Sequence, residues 1–305
     1  MINSYRSRYV ITFSTFYIYL QRIKPSFLMT GEEFSLAGVF RDATKHRQIA
    51  GIIGKYLLNR NDIREVALNE VELSDSKDIL DLGCGFGFFT EALKDRVHQD
   101  ARITGIDRYP EYEWFYFQSC EKAGIKADFR SNGIDLIRKL NDNSFDLILC
   151  SYALYFFPEA IRDIARVLKD NGVFISITHA VPHMAEFTSY VRSILKKNGM
   201  IVPKDLPYER LISRFSNLNG PEMLNSCFKD VISKDYKAKL SFGPKDHGDL
   251  IKYFNFKHSF FIPESIDPDD VLHQKVTSGI KSDLKKRKEL EITKDDIIFI
   301  CKRPI

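Results

Sequence analysis

Three groups of residues in this sequence have the types and spacing for chemistry. The first is Asp81-Leu82-Gly83-Cys84-Gly85-Phe86-Gly87, a carboxylate two residues ahead of three glycines at alternate positions. Glycines let a backbone turn tightly and come close to a ligand. A helix opening behind such a loop offers free N–H groups to anything negative. The second is Asp107, 20 residues beyond Gly87 and at the end of the apolar run 102–106. A doubly wound nucleotide site places there a carboxylate that accepts from ribose hydroxyls. The third is Tyr155, His179 and His183, whose phenol and imidazoles are the candidates to take a proton from a substrate near neutral pH.

The spacing separates the owners of a strand–glycine loop–helix unit. A dinucleotide fingerprint needs G-x-G-x-x-G, but position 88 is Phe and the pattern is G-x-G-x-G. A phosphate-binding Walker loop needs Gly-Lys-Ser/Thr, which is missing.

The elements that must hold these residues can be read around them. Residues 77–82 have the length of a buried strand, and 86–97 reads as the first crossover helix. A second strand over 102–107, a helix opened by Pro110 and a short third strand over 127–130 follow. Residues 146–150 are a fourth, buried parallel strand, 157–170 a helix and 173–178 a fifth strand. Strict βαβα alternation implies right-handed crossovers and a parallel sheet. From His179 it breaks. Helices are expected over 182–198, 204–215, 221–228, 244–254 and 267–288, a sixth strand over 231–242, and a closing strand over 297–301. Ahead of the glycine loop, 41–58 reads as an amphipathic helix bearing His46 and Arg47, which either reach the site or are surface charge on a packing helix.

The residues D-L-G-C-G-F-G at 81–87 resemble motif I of the class I S-adenosylmethionine (SAM)-dependent methyltransferases, of the small-molecule branch similar to types 11 and 25. Ser151-Tyr152-Ala153-Leu154-Tyr155 resembles motif IV, the loop beneath the transferred methyl group, and V-L-K-D-N-G at 167–172 resembles that family's V-L-K-P-G-G turn. The resemblance implies an α/β, Rossmann-like, doubly wound and mostly parallel seven-stranded sheet, with helical insertions capping the acceptor side. It implies SAM as cofactor, held by Asp81, Gly83, Cys84, Gly85, Gly87, Asp107, Arg108, Asn132, Gly133, Ile134, Ser151 and Tyr152. Asn132 and Asp135 both remain open as the polar contact to the adenine. It is sharp over about residues 77–178, loose to 305 and absent over 1–35. The D/N-P-P-Y/F tetrapeptide of enzymes that methylate base or glutamine amino groups is missing.

Methyl transfer from a sulfonium is an in-line displacement, mostly a matter of positioning. A base is needed only where the acceptor must lose a proton, and His179, at the end of strand five, is the first candidate, ahead of Tyr155 and His183. The expected acceptor is a small organic molecule methylated at oxygen, carboxylate or carbon. The alternatives are a tRNA or protein methyltransferase and a SAM-binding subunit without transfer.

At 305 residues, 44% hydrophobic and 28% charged, the composition is that of a soluble globular chain. Five scattered cysteines without C-x-x-C suggest neither a disulfide framework nor a metal site, and fit a reducing, cytoplasmic compartment. Residues 1–30 carry Arg6, Arg8, Arg22 and Lys24 and no acid, which accounts for the whole +4 of the chain. The neutral remainder argues against a large nucleic-acid footprint. The apolar stretch 10–20 is too short to span a bilayer. The leader reads as an organelle presequence, an extension ahead of a start at Met29, or a lid; a presequence would direct the chain to an organelle matrix. The chain thus divides into a basic leader or lid (1–35) and a methyltransferase domain (36–305). The latter comprises N-terminal helices (36–76), a SAM-binding core (77–178) and an acceptor cap with closing strands (179–305).

Overall fold

The computed structural model describes residues 36–262, 267, 270–286 and 289–305. The leader and the end of the KKRK run lie outside them. Seven strands form one sheet in the order β3-β2-β1-β4-β5-β9-β6: β1 Asp78–Leu82, β2 Arg102–Ile106, β3 Lys126–Arg130, β4 Phe145–Ser151, β5 Leu168–His179, β6 Phe228–Tyr236 and β9 Asp296–Pro304. The pairs β1–β2, β2–β3, β1–β4 and β4–β5 are parallel, and β9 runs antiparallel between β5 and β6. Both faces of the sheet are covered, which is why β1 and β4 read as continuous apolar runs: Ile79, Leu80 and Leu82 of β1 and Leu147 to Cys150 of β4 have no exposure.

Strand order reverses between β1 and β4, and such a switch point opens a crevice at the carboxyl ends of the strands. The loops after β1 and β4 both enter it. The α-helices that accompany the sheet include α1 Ala43–Tyr56, α2 Ile63–Leu68, α3 Glu113–Ala123, α4 Ile161–Val167, α5 Ala185–Lys197, α6 Pro207–Ser213, α7 Gly220–Asn225, α8 His247–Phe256, α9 His258–Phe261 and α10 Val271–Lys286. The carboxylates of Asp42 and Asp62 accept the Lys45 and Arg64 amides and start α1 and α2. The Tyr56 hydroxyl donates to Asp246 and Asp249, tying α1 to α8.

Three stretches differ most from the sequence reading, beyond shifted ends such as the helix expected over 221–228, which stops at Asn225 because Phe228 opens β6. The expected crossover helix over 86–97 is a run of turns with one short 3₁₀ segment, Thr90–Leu93. Gly87 at φ +77° and Asp95 at φ +59° take left-handed backbone that an α-helix cannot contain. Strand five begins at Leu168, because the 168–172 segment expected as a turn joins the sheet through a register shift against Phe145 and Leu147. The expected sixth strand is cut in two. Asp295 accepts from the Ala238 amide through one carboxylate oxygen and from Lys237 through the other, and this corner sends β7 (Lys239–Phe242) into a separate two-stranded sheet with β8 (Leu290–Thr293).

Candidate functional site

The glycine loop turns out of β1 with Gly83, Gly85 and Gly87 all at positive φ, +64°, +49° and +77°. Their surroundings differ. A Cβ on Gly83 would stand 2.4 Å from that of Ala153 in the loop after β4, and one on Gly87 would stand 2.7 Å from that of Ser119 on α3. A Cβ on Gly85 would meet nothing closer than the Tyr112 ring, 3.9 Å away. Gly83 and Gly87 are therefore packing glycines, and Gly85 faces the open approach. Cys84 is buried beneath the loop, its thiol pushed up by burial. Gly105, which sequence reasoning missed, lets Tyr116 close to 2.5 Å of where a Cβ would be.

Asp107 joins three loops. One carboxylate oxygen accepts the Gly85 amide at 2.9 Å, the other the Tyr109 amide at 3.0 Å, and its carbonyl accepts the Gly133 amide at 3.2 Å. Burial raises its carboxyl, opposed by the amides of Tyr109, Gly85 and Arg108. Gly133, at φ +71° with open space around it, leads directly into Ile134. Asn132 is exposed beside them, Asp135 pairs with Arg138, and Arg108 lies over the Tyr109 ring. Asp81 is buried on β1, takes a 2.7 Å hydrogen bond from Thr90 and is pushed by burial up to about 7. At the end of β4 the Ser151 hydroxyl is buried without a hydrogen-bond partner. An open Gly85, the Asp107 carboxylate at the next strand end and an orphaned hydroxyl at the switch point suit the polar, elongated cofactor that the glycine spacing suggests.

The Tyr152 side chain leaves this group. At φ +55° it turns its hydroxyl to Asp296, 2.9 Å away, and so joins the acceptor-side residues. There His179 ends β5 in register with Asp296 at the start of β9, and its Nδ1 is 2.8 Å from one Asp296 oxygen. The other Asp296 oxygen takes Tyr152 and, at 2.6 Å, Lys294. His183 lies 3.6 Å from Asp296, its Nδ1 bonded to the Tyr208 hydroxyl and its Nε2 buried without a partner. The Tyr155 ring stacks on His179 with centroids 5.7 Å apart. The three expected catalytic residues are thus brought together, around an aspartate that sequence reasoning missed. Burial lowers His179 to about 4 despite Asp296, lowers His183 to about 3 and raises the Tyr155 phenol. Burial works against the Asp296 charge, but Lys294 and the two histidines hold that carboxyl well below its usual range.

His46 packs against the glycine loop from α1. Its ring is 5.2 Å from Phe86, and its Nδ1 is 2.8 Å from the Tyr112 hydroxyl. It therefore reaches the loop, while Arg47 lies over the Phe115 ring.

A Rossmann-like sheet with this strand order and a glycine loop at its switch point defines a class, and sequence comparison identifies the same one. Residues 73–235 match the model of a methyltransferase domain family, and the chain belongs to that family, as a class I methyltransferase whose cofactor is SAM. An uncharacterised methyltransferase of Schizosaccharomyces pombe is 28% identical over 141 residues, 43% of this chain and 51% of the relative. A demethylmenaquinone methyltransferase of Staphylococcus aureus is 24% identical over 208 residues, 61% and 83% of the two chains. Among solved structures, the YcgJ protein of Bacillus subtilis is 20% identical, with a TM-score of 0.48 over 79% of this chain and 97% of its own. The chain spans about half the length of the first curated relatives it matches.

Proposed function

We propose that this protein transfers the methyl group of SAM to an oxygen, carboxylate or carbon of a small organic acceptor, with His179 as the proton acceptor where a hydroxyl or carbon acid must lose its proton and Asp296 as the residue that positions it. The observation carrying the reading is the buried His179–Asp296 pair at the carboxyl end of β5, one strand from the glycine-loop switch point. A relative named for a small acceptor, demethylmenaquinone, supports the substrate class.

SAM supplies an electrophilic methyl group when bound. Gly83, Cys84, Gly85 and Gly87 would shape its cradle, with Asp81 beneath. Asp107 would accept from its hydroxyls, and Arg108, Asn132, Gly133, Ile134 and Ser151 would line the rest. Asp296 is ionised beside Lys294 and can only accept, so the His179 Nδ1 carries the proton donated to it and Nε2 keeps a lone pair. Once Nε2 has taken a proton, the adjacent carboxylate stabilises the imidazolium, as in other acid–imidazole pairs. Tyr155, its phenol raised by burial, is the poorer base and serves as the ring against which His179 rests.

The test is the rate of labelled methyl transfer from SAM into the small-molecule fraction of a cell extract. His179→Ala should lower it about 10²- to 10⁴-fold, the usual worth of a positioned base. Affinity for S-adenosylhomocysteine should stay unchanged. The acidic limb of the wild-type profile should lie near pH 4 and not near 6.5, because the folded imidazole protonates only as pH falls through its lowered value. A His179→Ala protein with wild-type rate and an unchanged limb removes His179 as the base.

A further inference from the structure

Lys257 stands at the joint between α8 and α9, half-buried, with its ammonium over three rings: Phe260, Tyr253 and Phe40, at 5.5, 5.6 and 5.8 Å from their centroids. Among the described residues this ammonium makes no hydrogen bond and no ion pair. Ring faces return only part of the hydration an ammonium loses when enclosed. Burial and the charge of Lys294 accordingly push it down to about 8, against the pull of Asp296.

Its place in the chamber is fixed by ring contacts. Phe40 meets His46 at 4.8 Å, and His46 packs on Phe86 of the glycine loop. Phe260 meets Tyr208 at 5.9 Å, and Tyr208 bonds His183 beside Asp296. Lys257 therefore lies between the glycine loop and the His179–Asp296 pair, the interval that the small-molecule reading gives to the acceptor.

The charges there do not balance. Lys257 and Lys294 bring two positive charges, and Asp296 brings one negative charge whose oxygens are already taken by Lys294, Tyr152 and His179. The two histidines are held neutral by burial. His179, His183 and Asp296 have donor atoms within 4.8 Å of one another, close enough for a metal ion. Lys294 on the shared carboxylate, with Lys257 behind it, makes that position hostile to a further cation and favourable to an anion.

We propose that Lys257 is the counter-ion for an oxyanion carried by the acceptor, a carboxylate or an ionised phenol or enol on an apolar, ring-sized body that fits against Phe40, Tyr253 and Phe260. This rests on the small-molecule reading of the same site and narrows it to anionic acceptors.

The probes are benzoate and its uncharged analogue benzamide, titrated calorimetrically into the full chain saturated with S-adenosylhomocysteine. Benzoate should bind about 10- to 100-fold more tightly than benzamide, the worth of a charge-assisted contact in a desolvated site. Lys257→Met should erase the preference, Lys257→Arg should keep it, and both variants should bind S-adenosylhomocysteine as the wild type does, which also shows that they are folded. Equal binding of the two probes to the wild type overturns the proposal, as does a preference that survives in Lys257→Met. So does a Lys257→Met variant that loses S-adenosylhomocysteine instead, since the anion would then belong to the cofactor. Methyl transfer to an uncharged small molecule without any benzoate preference would sink this inference alone. Transfer only to RNA or protein would sink the small-molecule reading and leave the probe result standing.

Discussion

Gly83 and Gly85 look alike in the sequence and differ in what they face. The spacing made the loop legible, since few chemistries use a carboxylate before G-x-G-x-G, but it could not say which glycine meets the ligand. Gly83→Ala must force its methyl against Ala153 and should destabilise the fold by about 1–3 kcal/mol, the usual cost of overpacking. Gly85→Ala finds room and bears only the strain of a left-handed alanine, about 1 kcal/mol. It should lose S-adenosylhomocysteine affinity out of proportion to its melting temperature. Melting curves and titrations on both variants check this, and a Gly85→Ala variant that binds normally would show that the cofactor does not approach there. Asp107 was legible for the same reason as the loop, by its distance from Gly87 along the chain. Asp296 was not. It meets His179 only through the antiparallel register of two strands whose paired residues are 117 positions apart. The closing strand was expected from Ile297, one residue past this acid, and the acid's partner depends on where that strand enters the sheet.

At the scale of elements, hydrophobic periodicity located the strands and missed three connections, each for a local reason. Left-handed Gly87 and Asp95 prevent an α-helix after the glycine loop. A register shift draws 168–172 into β5. The Asp295 carboxylate folds the chain between β6 and β7. The junction of β8 and β9 carries the largest electrostatic stake, because Lys294 and Asp296 are buried together at 2.6 Å. Removing one member of a buried pair leaves the other unpaired, at a cost of about 3–5 kcal/mol. Asp296→Asn should therefore be strongly destabilised in urea melts, and Lys294→Met added to it should recover a large part of the loss. If the double variant is no more stable than the single one, the pair is not what holds this junction. His179 loses its acceptor in both, so their methyl transfer should remain depressed even where stability returns.

The whole molecule places a cofactor loop, a buried imidazole–carboxylate pair and an aromatic wall around one switch point. The wall comes from distant parts of the chain: Phe40 before α1, Phe156 after β4, Phe256 on α8 and Phe260 on α9. His179, His183 and Asp296 are all buried. No helix among the described residues is long and apolar enough to cross a membrane. The destination of the methyl group tests the reading of the whole molecule most directly. The full chain is incubated with methyl-labelled SAM and a cell extract, which is then separated into small-molecule, RNA and protein fractions. The expected result is label in the small-molecule fraction, with His179→Ala reducing it by at least about 10²-fold. Label confined to RNA or protein, or transfer indifferent to His179, would contradict the assignment of this chamber to a small acceptor.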